Sequence, residues 1–187
     1  MDALEQLRSA IPDAARDIRL NLQAVLRGGA LTDAQRWSGG RRGGRRPRLR
    51  EAVTSAASAA AGPAVVEDAK AAAALMAMNN VYYRFRHMVG KPAYGEKPAG
   101  LRMNRLVQPA TNRADFELMA LAVSALNGCE MCVRAHEKTV TDGGLTTDHV
   151  NDAVRIAATI YAAALALEAG ETEPAASPRL RPRLRRS

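Results

Sequence analysis

The two cysteines of this chain lie close together in the stretch NGCEMCVRAHEK, residues 127–138. Cys129 and Cys132 are three positions apart, and His136 follows four positions after the second cysteine. A thiol pair at this spacing can close a reversible disulfide, supply half of a zinc site, or fill space in a core. The surrounding sequence has to distinguish these three roles.

Spacing separates the two thiols if the motif is helical. Asn127 and Gly128 are typical of a helix end, which places Cys129 near the start of the next helix, where partial positive charge favours a thiolate. Cys132 and His136 then share one face with about 6 Å between their Cβ atoms, whereas Cys129 lies about 10 Å along the axis from His136. We therefore expect His136 to act as base for Cys132. Cys129, at the exposed end, is expected to meet an incoming thiol or to close a disulfide.

Two other roles for the cysteines stay open as weaker alternatives. A zinc site would need four ligands from the cysteines and the three histidines His87, His136 and His149, and no second ligand pair with finger-like spacing is present. Two inert core cysteines are also compatible with the sequence, since free cysteine is often buried. A thioredoxin-type domain would need strands around the motif, and the flanking sequence has helical periodicity.

The length of the chain, 187 residues, suits one domain. No run of eighteen apolar residues is free of charges or turn signals, and the start MDALEQLRSAIPDAARD is too acidic and polar for a signal peptide. We therefore expect a cytoplasmic protein without membrane segments. In that reducing compartment a close cysteine pair is more often catalytic or metal-binding than a structural staple.

The net charge of +8 comes from two short segments. Residues 38–50, SGGRRGGRRPRLR, carry six arginines and residues 178–187 carry five, and without those eleven charges the +8 becomes −3. We expect 38–50 to be an anomalous, disordered segment and 171–187 to be a disordered basic tail. An RNA-binding or anionic-surface role would have to reside in them, and it is disfavoured because aromatic interleaving and a reader motif are both absent.

Apolar residues recur at helical spacing along most of the remaining chain, and no stretch has convincing strand alternation. Pro12 divides the first stripe into a short and a longer helix, and Thr32 is a plausible N-cap. We predict an all-α fold, a compact helical bundle that forms one domain over residues 1–170. The later predicted features are a shared helix face of Val66, Ala69, Ala73, Met76, Asn80 and Tyr83, a loop over 90–100, a stripe of Phe116, Met119, Val123 and Leu126, and a last helix from Thr146 or Thr147 to Gly170.

The segment FELMALAVSALNGCEMCVRAHEKTV, with MNNVYYR and LRMN upstream, resembles the AhpD family of alkyl hydroperoxidases. The resemblance depends on the spacing of one glutamate, the two cysteines and one histidine, and it covers most of residues 3–37 and 47–168. It implies an AhpD-like all-α fold and a homotrimer. The matching residues here are Glu117, Cys129, Cys132 and His136.

The chemistry that the resemblance implies is peroxide reduction. Cys132 would attack an organic hydroperoxide and become a sulfenic acid, which Cys129 would resolve as a disulfide. Glu117 would join a proton relay with His136. No cofactor would be bound, because electrons would come from a dihydrolipoyl group on a subunit of a 2-oxoacid dehydrogenase complex, and the protein could reduce the peroxiredoxin AhpC.

The chain departs from that family pattern at two places. Met131 stands where better studied members often have a second histidine, and the Gly and Arg content of 38–50 cannot continue the family's helix. We hypothesise a local frameshift at 38–50, which resequencing would test. Without the resemblance, Glu117 would be interpreted as a solvated helix charge. We interpret His87 and His149 as surface or packing residues, and Tyr82 and Tyr83 as core or subunit-contact residues.

Overall fold

A computed structural model of the chain describes residues 3–38, 59 and 61–171, and within these residues it contains helices and no strand. The all-α prediction is therefore confirmed. The predictions for 39–50 and for the tail beyond residue 171 concern residues outside this description. The elements are α1 (Ala3–Ser9), a 3-10 turn (Asp13–Ala15), α2 (Arg16–Arg27), α3 (Asp33–Ser38), α4 (Pro63–Val89), α5 (Pro92–Gly95), α6 (Asn104–Val107), α7 (Arg113–Leu126), α8 (Glu130–Asp142) and α9 (Thr147–Glu171).

Local sequence signals set the boundaries of the first helices as predicted. Pro12 lies between α1 and the 3-10 turn, which leads directly into α2. At the start of α3, Gln35 N donates to Thr32 Oγ1 at 3.3 Å, and Thr32 N donates to Gln35 Oε1 at 3.0 Å. This reciprocal pair is a capping box, so the predicted Thr32 cap is confirmed.

Helix α7 lies at the centre of the described fold. The sequence predicts a single apolar stripe on it, but every residue from Phe116 to Ser124 is buried. The stripe prediction is therefore too narrow, because α4, α8 and α9 all pack against α7. A helix that is surrounded on several sides needs apolar or small residues around most of its circumference.

The described core has two main parts that meet at α7. One part joins α1, α2 and α9, with Leu7, Leu22 and Ile156 among its buried residues. The other joins α4 to α7, where Ala69 and Ala72 face Phe116. Alanine side chains are small, so α4 can approach α7 closely. The polar residues of α4 then lie beside α7.

The second half of the chain differs from the sequence prediction in two details. The predicted loop over 90–100 contains the short helix α5, and α9 continues one residue past Gly170 to Glu171, the last described position. Among the described helices, α9 is long and apolar enough to cross a membrane by length and composition, with a mean hydropathy of 1.4. It packs against α2 and α7 and buries Ile156 and Ile160, as a core helix of the bundle does.

Candidate active site

The cysteine motif begins where α7 ends. Gly128 has φ +65, the left-handed conformation that glycine adopts at low cost, and it turns the chain directly into α8. Cys129 occupies the N-cap of α8, and Cys132 lies within its first turn. Cys129 N donates to Ser124 O at 3.1 Å, which fixes the motif against the preceding helix. The predicted placement of both cysteines is confirmed.

Cys129 and Cys132 form a disulfide, and both are buried, with exposed fractions of 1% and 5%. The expectation that Cys129 is exposed is therefore wrong. A helix start is open in isolation, but α4 packs beside this one: Arg84 donates to Asn127 O, and His87 Nε2 lies 4.0 Å from Glu130 Oε2. Because both cysteines are buried, an external thiol needs a local movement of the chain to reach the sulfur atoms.

Glu117 and His136 form a buried pair behind the disulfide. Glu117 Oε2 lies 2.5 Å from His136 Nδ1, and the two residues are 3% and 7% exposed. The interpretation of Glu117 as a solvated charge is therefore wrong. Residues nineteen positions apart meet because α7 and α8 pack against each other. Arg113 is one helical turn before Glu117, with its Nε 3.9 Å from Glu117 Oε1.

The second ring nitrogen of His136 faces Met76 on α4. His136 Nε2 lies 3.2 Å from Met76 Sδ, and Met76 is fully buried. The sequence placed Met76 on a shared helix face, and nothing in its spacing pointed to the histidine. This contact depends on the packing of α4 against α7 and α8, so only the tertiary structure reveals it.

Polar side chains connect α4 to the end of α7 just before the cysteines. Asn80 Nδ2 donates to Ser124 Oγ at 2.9 Å, and Asn127 Nδ2 donates to Asn80 Oδ1 at 2.7 Å. Asn80 and Ser124 are buried, so each satisfies the other in a dry environment. These hydrogen bonds hold the helical turn of α4 that contains Met76 in a fixed position relative to the cysteine motif.

The other histidines lie away from this pair. The His87 side chain is 62% exposed, and His149 Nδ1 contacts Thr146 Oγ1 at 2.8 Å at the start of α9. Both match the expected surface or packing roles. Among the described residues, no group of three or more His, Cys, Asp or Glu side chains is placed to hold a metal ion. Tyr82 and Tyr83 are half-buried and stack edge to face.

Known proteins are similar to the motif region and to most of the remaining chain. Residues 92–172 match the sequence pattern of the carboxymuconolactone decarboxylase family. The chain is 64% identical over 171 residues to the alkyl hydroperoxide reductase AhpD of Anaeromyxobacter dehalogenans, which covers 90% of this chain and 92% of that relative. This chain belongs to the AhpD family. An AhpD from Brucella canis is 42% identical over 174 residues, 91% of this chain and 99% of its own length. AhpD membership thus confirms the resemblance that points to Glu117.

Proposed function

We propose that this AhpD-family chain is a cytoplasmic alkyl hydroperoxide reductase that works through Cys129 and Cys132. The observation that carries the proposal is the disulfide one turn from a buried Glu117–His136 pair. A thiol pair beside a proton carrier is what two-electron reduction of a peroxide requires. The name of the relatives, alkyl hydroperoxide reductase AhpD, supports the same activity.

In the proposed reaction the reduced Cys132 attacks the hydroperoxide ROOH. A bond forms between Cys132 Sγ and one peroxide oxygen, the O–O bond breaks, and the alkoxide leaves as the alcohol ROH after taking a proton. The resulting sulfenic acid is attacked by the Cys129 thiolate, which forms the disulfide and releases water. One hydroperoxide and two thiols therefore give one alcohol, one water and one disulfide.

The Glu117–His136 pair supplies and receives the protons of these steps. Cys132 and His136 are i and i+4 on α8, so the imidazole is the nearest base on the same helix face. Glu117 orients the ring through Nδ1 and balances its charge in a buried site. A histidine in this setting can accept the thiol proton and return it to the alkoxide.

Electrons return from outside the protein, and no bound cofactor is needed. We propose a dihydrolipoyl group on a subunit of a 2-oxoacid dehydrogenase complex as donor, and the peroxiredoxin AhpC as a protein that this chain can reduce. Both follow from the AhpD family resemblance. Because Cys129 is buried, we expect donor binding to open the first turn of α8.

The proposed molecule is a homotrimer, which the family resemblance implies. Its support in the structure is a stripe of exposed apolar side chains on one side of α4. This α4 stripe consists of Met78, Val81, Phe85 and Met88, with exposed fractions of 37%, 59%, 44% and 76%.

The test is intact mass after one equivalent of cumene hydroperoxide is added to the reduced protein. We expect the wild type to lose two hydrogens, Cys129→Ser to stop at a trappable sulfenic acid, and Cys132→Ser to stay unreactive. Turnover with dihydrolipoamide, compared with glutathione, then tests the donor. A folded, reduced wild type that keeps its mass would contradict the proposal, and bound zinc in that sample would favour the structural-site alternative.

A further inference from the structure

The contact between His136 and Met76 limits where the protons of the site can be. A thioether sulfur has no hydrogen to donate and accepts only weakly. Met76 Sδ lies 3.2 Å from His136 Nε2, and both side chains are buried. Two lone pairs would repel each other at this distance, so the favourable arrangement has a hydrogen on Nε2 that points at the sulfur.

The opposite side of the ring then determines how many protons the pair holds. If His136 carries a hydrogen on both nitrogens, Nδ1 donates to the Glu117 carboxylate. If only Nε2 carries one, Nδ1 accepts, and Glu117 must itself be protonated to make the 2.5 Å contact. Both descriptions contain the same total, one proton more than a carboxylate beside a neutral imidazole.

We propose that Met76 is a positioning residue that keeps a proton on His136 Nε2 while the disulfide is closed. The Glu117–His136 pair is thereby loaded with the proton that Cys132 needs when the disulfide opens. The inference depends on the proposed function only for the claim that this disulfide is opened and closed during turnover.

The step in which the stored proton is used is the re-reduction of the disulfide by an external dithiol. A thiolate of the dithiol attacks Cys129 Sγ, a new S–S bond forms, and the Cys129–Cys132 bond breaks. Cys132 leaves with the electron pair as a thiolate and receives the Nε2 proton from His136. The second dithiol sulfur then displaces Cys129, which leaves as a thiolate and takes the proton of that second thiol, so the dithiol is oxidised, the protein pair is reduced, and the relay can again accept a proton.

The neighbours of the pair are consistent with a relay that is neutral overall. Among the described residues, Arg113 of α7 is the other charged group near Glu117, and its side chain is 67% exposed. From α4, the uncharged Asn79 and Asn80 amide nitrogens lie 3.9 Å and 3.8 Å from Met76 Sδ. Both amide nitrogens are donors, so neither is an acceptor for Nε2.

The matched variants are Met76→Leu and Met119→Leu. Both methionines are buried, and leucine keeps nearly the same volume, but Met119 packs in the α4–α7 core with Phe116. Leucine at 76 leaves a buried Nε2–H without an acceptor, which favours loss of that proton. Leucine at 119 changes no acceptor of the site.

Nitrogen-15 NMR of the oxidised wild type tests the proton position, with resonances assigned by a His136→Asn variant. We expect Nε2 of His136 to be protonated at neutral pH in the wild type and in Met119→Leu, and to lose that proton in Met76→Leu. An unprotonated Nε2 in the oxidised wild type would overturn the proposal, whether or not any variant folds.

The kinetic test is reduction of the disulfide by dithiothreitol from about pH 6 to about pH 9, where imidazole and thiol groups titrate. We expect Met76→Leu to be slower by about threefold to tenfold at neutral pH, the size of one lost hydrogen bond, with a displaced pH profile. Met119→Leu should stay within about twofold of the wild type and keep its profile. Equal behaviour of the two variants would overturn the proposal. No peroxide is used, so failure here is separate from failure of the peroxidase test.

Discussion

Glu117 is a carboxylate that has been removed from water, and its surroundings suit it to the proposed proton transfer. It is 3% exposed, and its partners are His136 at 2.5 Å and Arg113 at 3.9 Å. A buried acid of this kind is retained only with hydrogen-bond partners, because its desolvation is costly. The pair is therefore a single acid–base unit rather than two independent side chains.

Replacing the carboxylate tests this unit directly. Glu117→Gln keeps the shape but cannot hold or balance the proton, and we expect the single-turnover rate with cumene hydroperoxide to fall by about 10²-fold, the lower range for general acid–base catalysis. Glu130→Gln is the control, because Glu130 lies beside Cys129 on α8 but its side chain is 60% exposed. Equal rates for the two variants would exclude a proton-transfer role for Glu117.

At the scale of elements, Asp68 of α4 holds the segment that leads into α7. The fully buried carboxylate accepts hydrogen bonds from Ala110 N, from Thr111 N and Oγ1, and from Arg105 Nε, at 2.7 to 2.9 Å. Burial by itself raises the pKa of Asp68, but these hydrogen bonds outweigh it and hold the pKa below 3.8. Helix α7 therefore begins from an anchored loop, which fixes the position of Glu117 in the fold.

Removal of that charge should destabilise the fold in a pH-dependent way. Because the folded-state pKa of Asp68 lies below that of the unfolded chain, its stabilisation is complete above about pH 4 and is lost as the pH falls through the folded value. We expect Asp68→Asn to reduce the free energy of unfolding by about 2–4 kcal/mol at pH 7, with a smaller deficit near pH 3. Urea titrations across that range measure it. Asp13→Asn, at a 98% exposed carboxylate, is the control, and a deficit independent of pH would contradict the assignment.

The turn between α7 and α8 depends on the backbone of Gly128. Its φ is +65 and no atom lies within 4 Å of an added Cβ, so Gly128→Ala meets only conformational strain. We expect a loss of about 1–2 kcal/mol in unfolding free energy. Gly28→Ala is the matched control, because that site is equally open but has φ −153, where alanine is at no disadvantage. Thermal unfolding compares the melting temperatures of the two variants. Equal melting temperatures would contradict a conformational requirement for glycine at position 128.

At the scale of the whole molecule, the α4 stripe is an apolar surface that a single chain leaves exposed. Val81 and Met88 are 59% and 76% exposed, on the α4 helix that also contributes Met76 to the site. Self-association that covered this stripe would hold α4 in place and so couple subunit assembly to the position of Met76.

A charge on the stripe should prevent assembly without unfolding the chain. We expect Val81→Glu to have a lower mass than the wild type by light scattering, because burying an unpaired carboxylate is unfavourable. Leu20→Glu, at a 51% exposed position on α2, is the control and should keep the wild-type mass. A Val81→Glu protein with the wild-type mass would contradict assembly through this stripe.

Much of the local structure followed from short-range signals. Proline at position 12, the Thr32 cap and Gly128 each act on their own backbone, so their effects are readable without a tertiary structure. The apolar pattern of α7 predicts one stripe where nine consecutive residues are buried, because a periodic pattern does not report how many neighbours surround a helix. The role of Glu117 is implied by the family resemblance alone, since nothing in its local spacing distinguishes it from a surface glutamate.

Residue types and spacing alone determined that this is a helical protein with two thiols at a helix start and a histidine one turn beyond the second. Whether a sulfur is reachable, and which nitrogen of a histidine carries a hydrogen, depends on groups distant in sequence. Cys129 is buried in the folded chain, and packing of α7 and α4 against α8 brings Glu117 and Met76 to opposite sides of His136. Burial and hydrogen bonding at the site are set by these long-range contacts, so only the tertiary structure determines them.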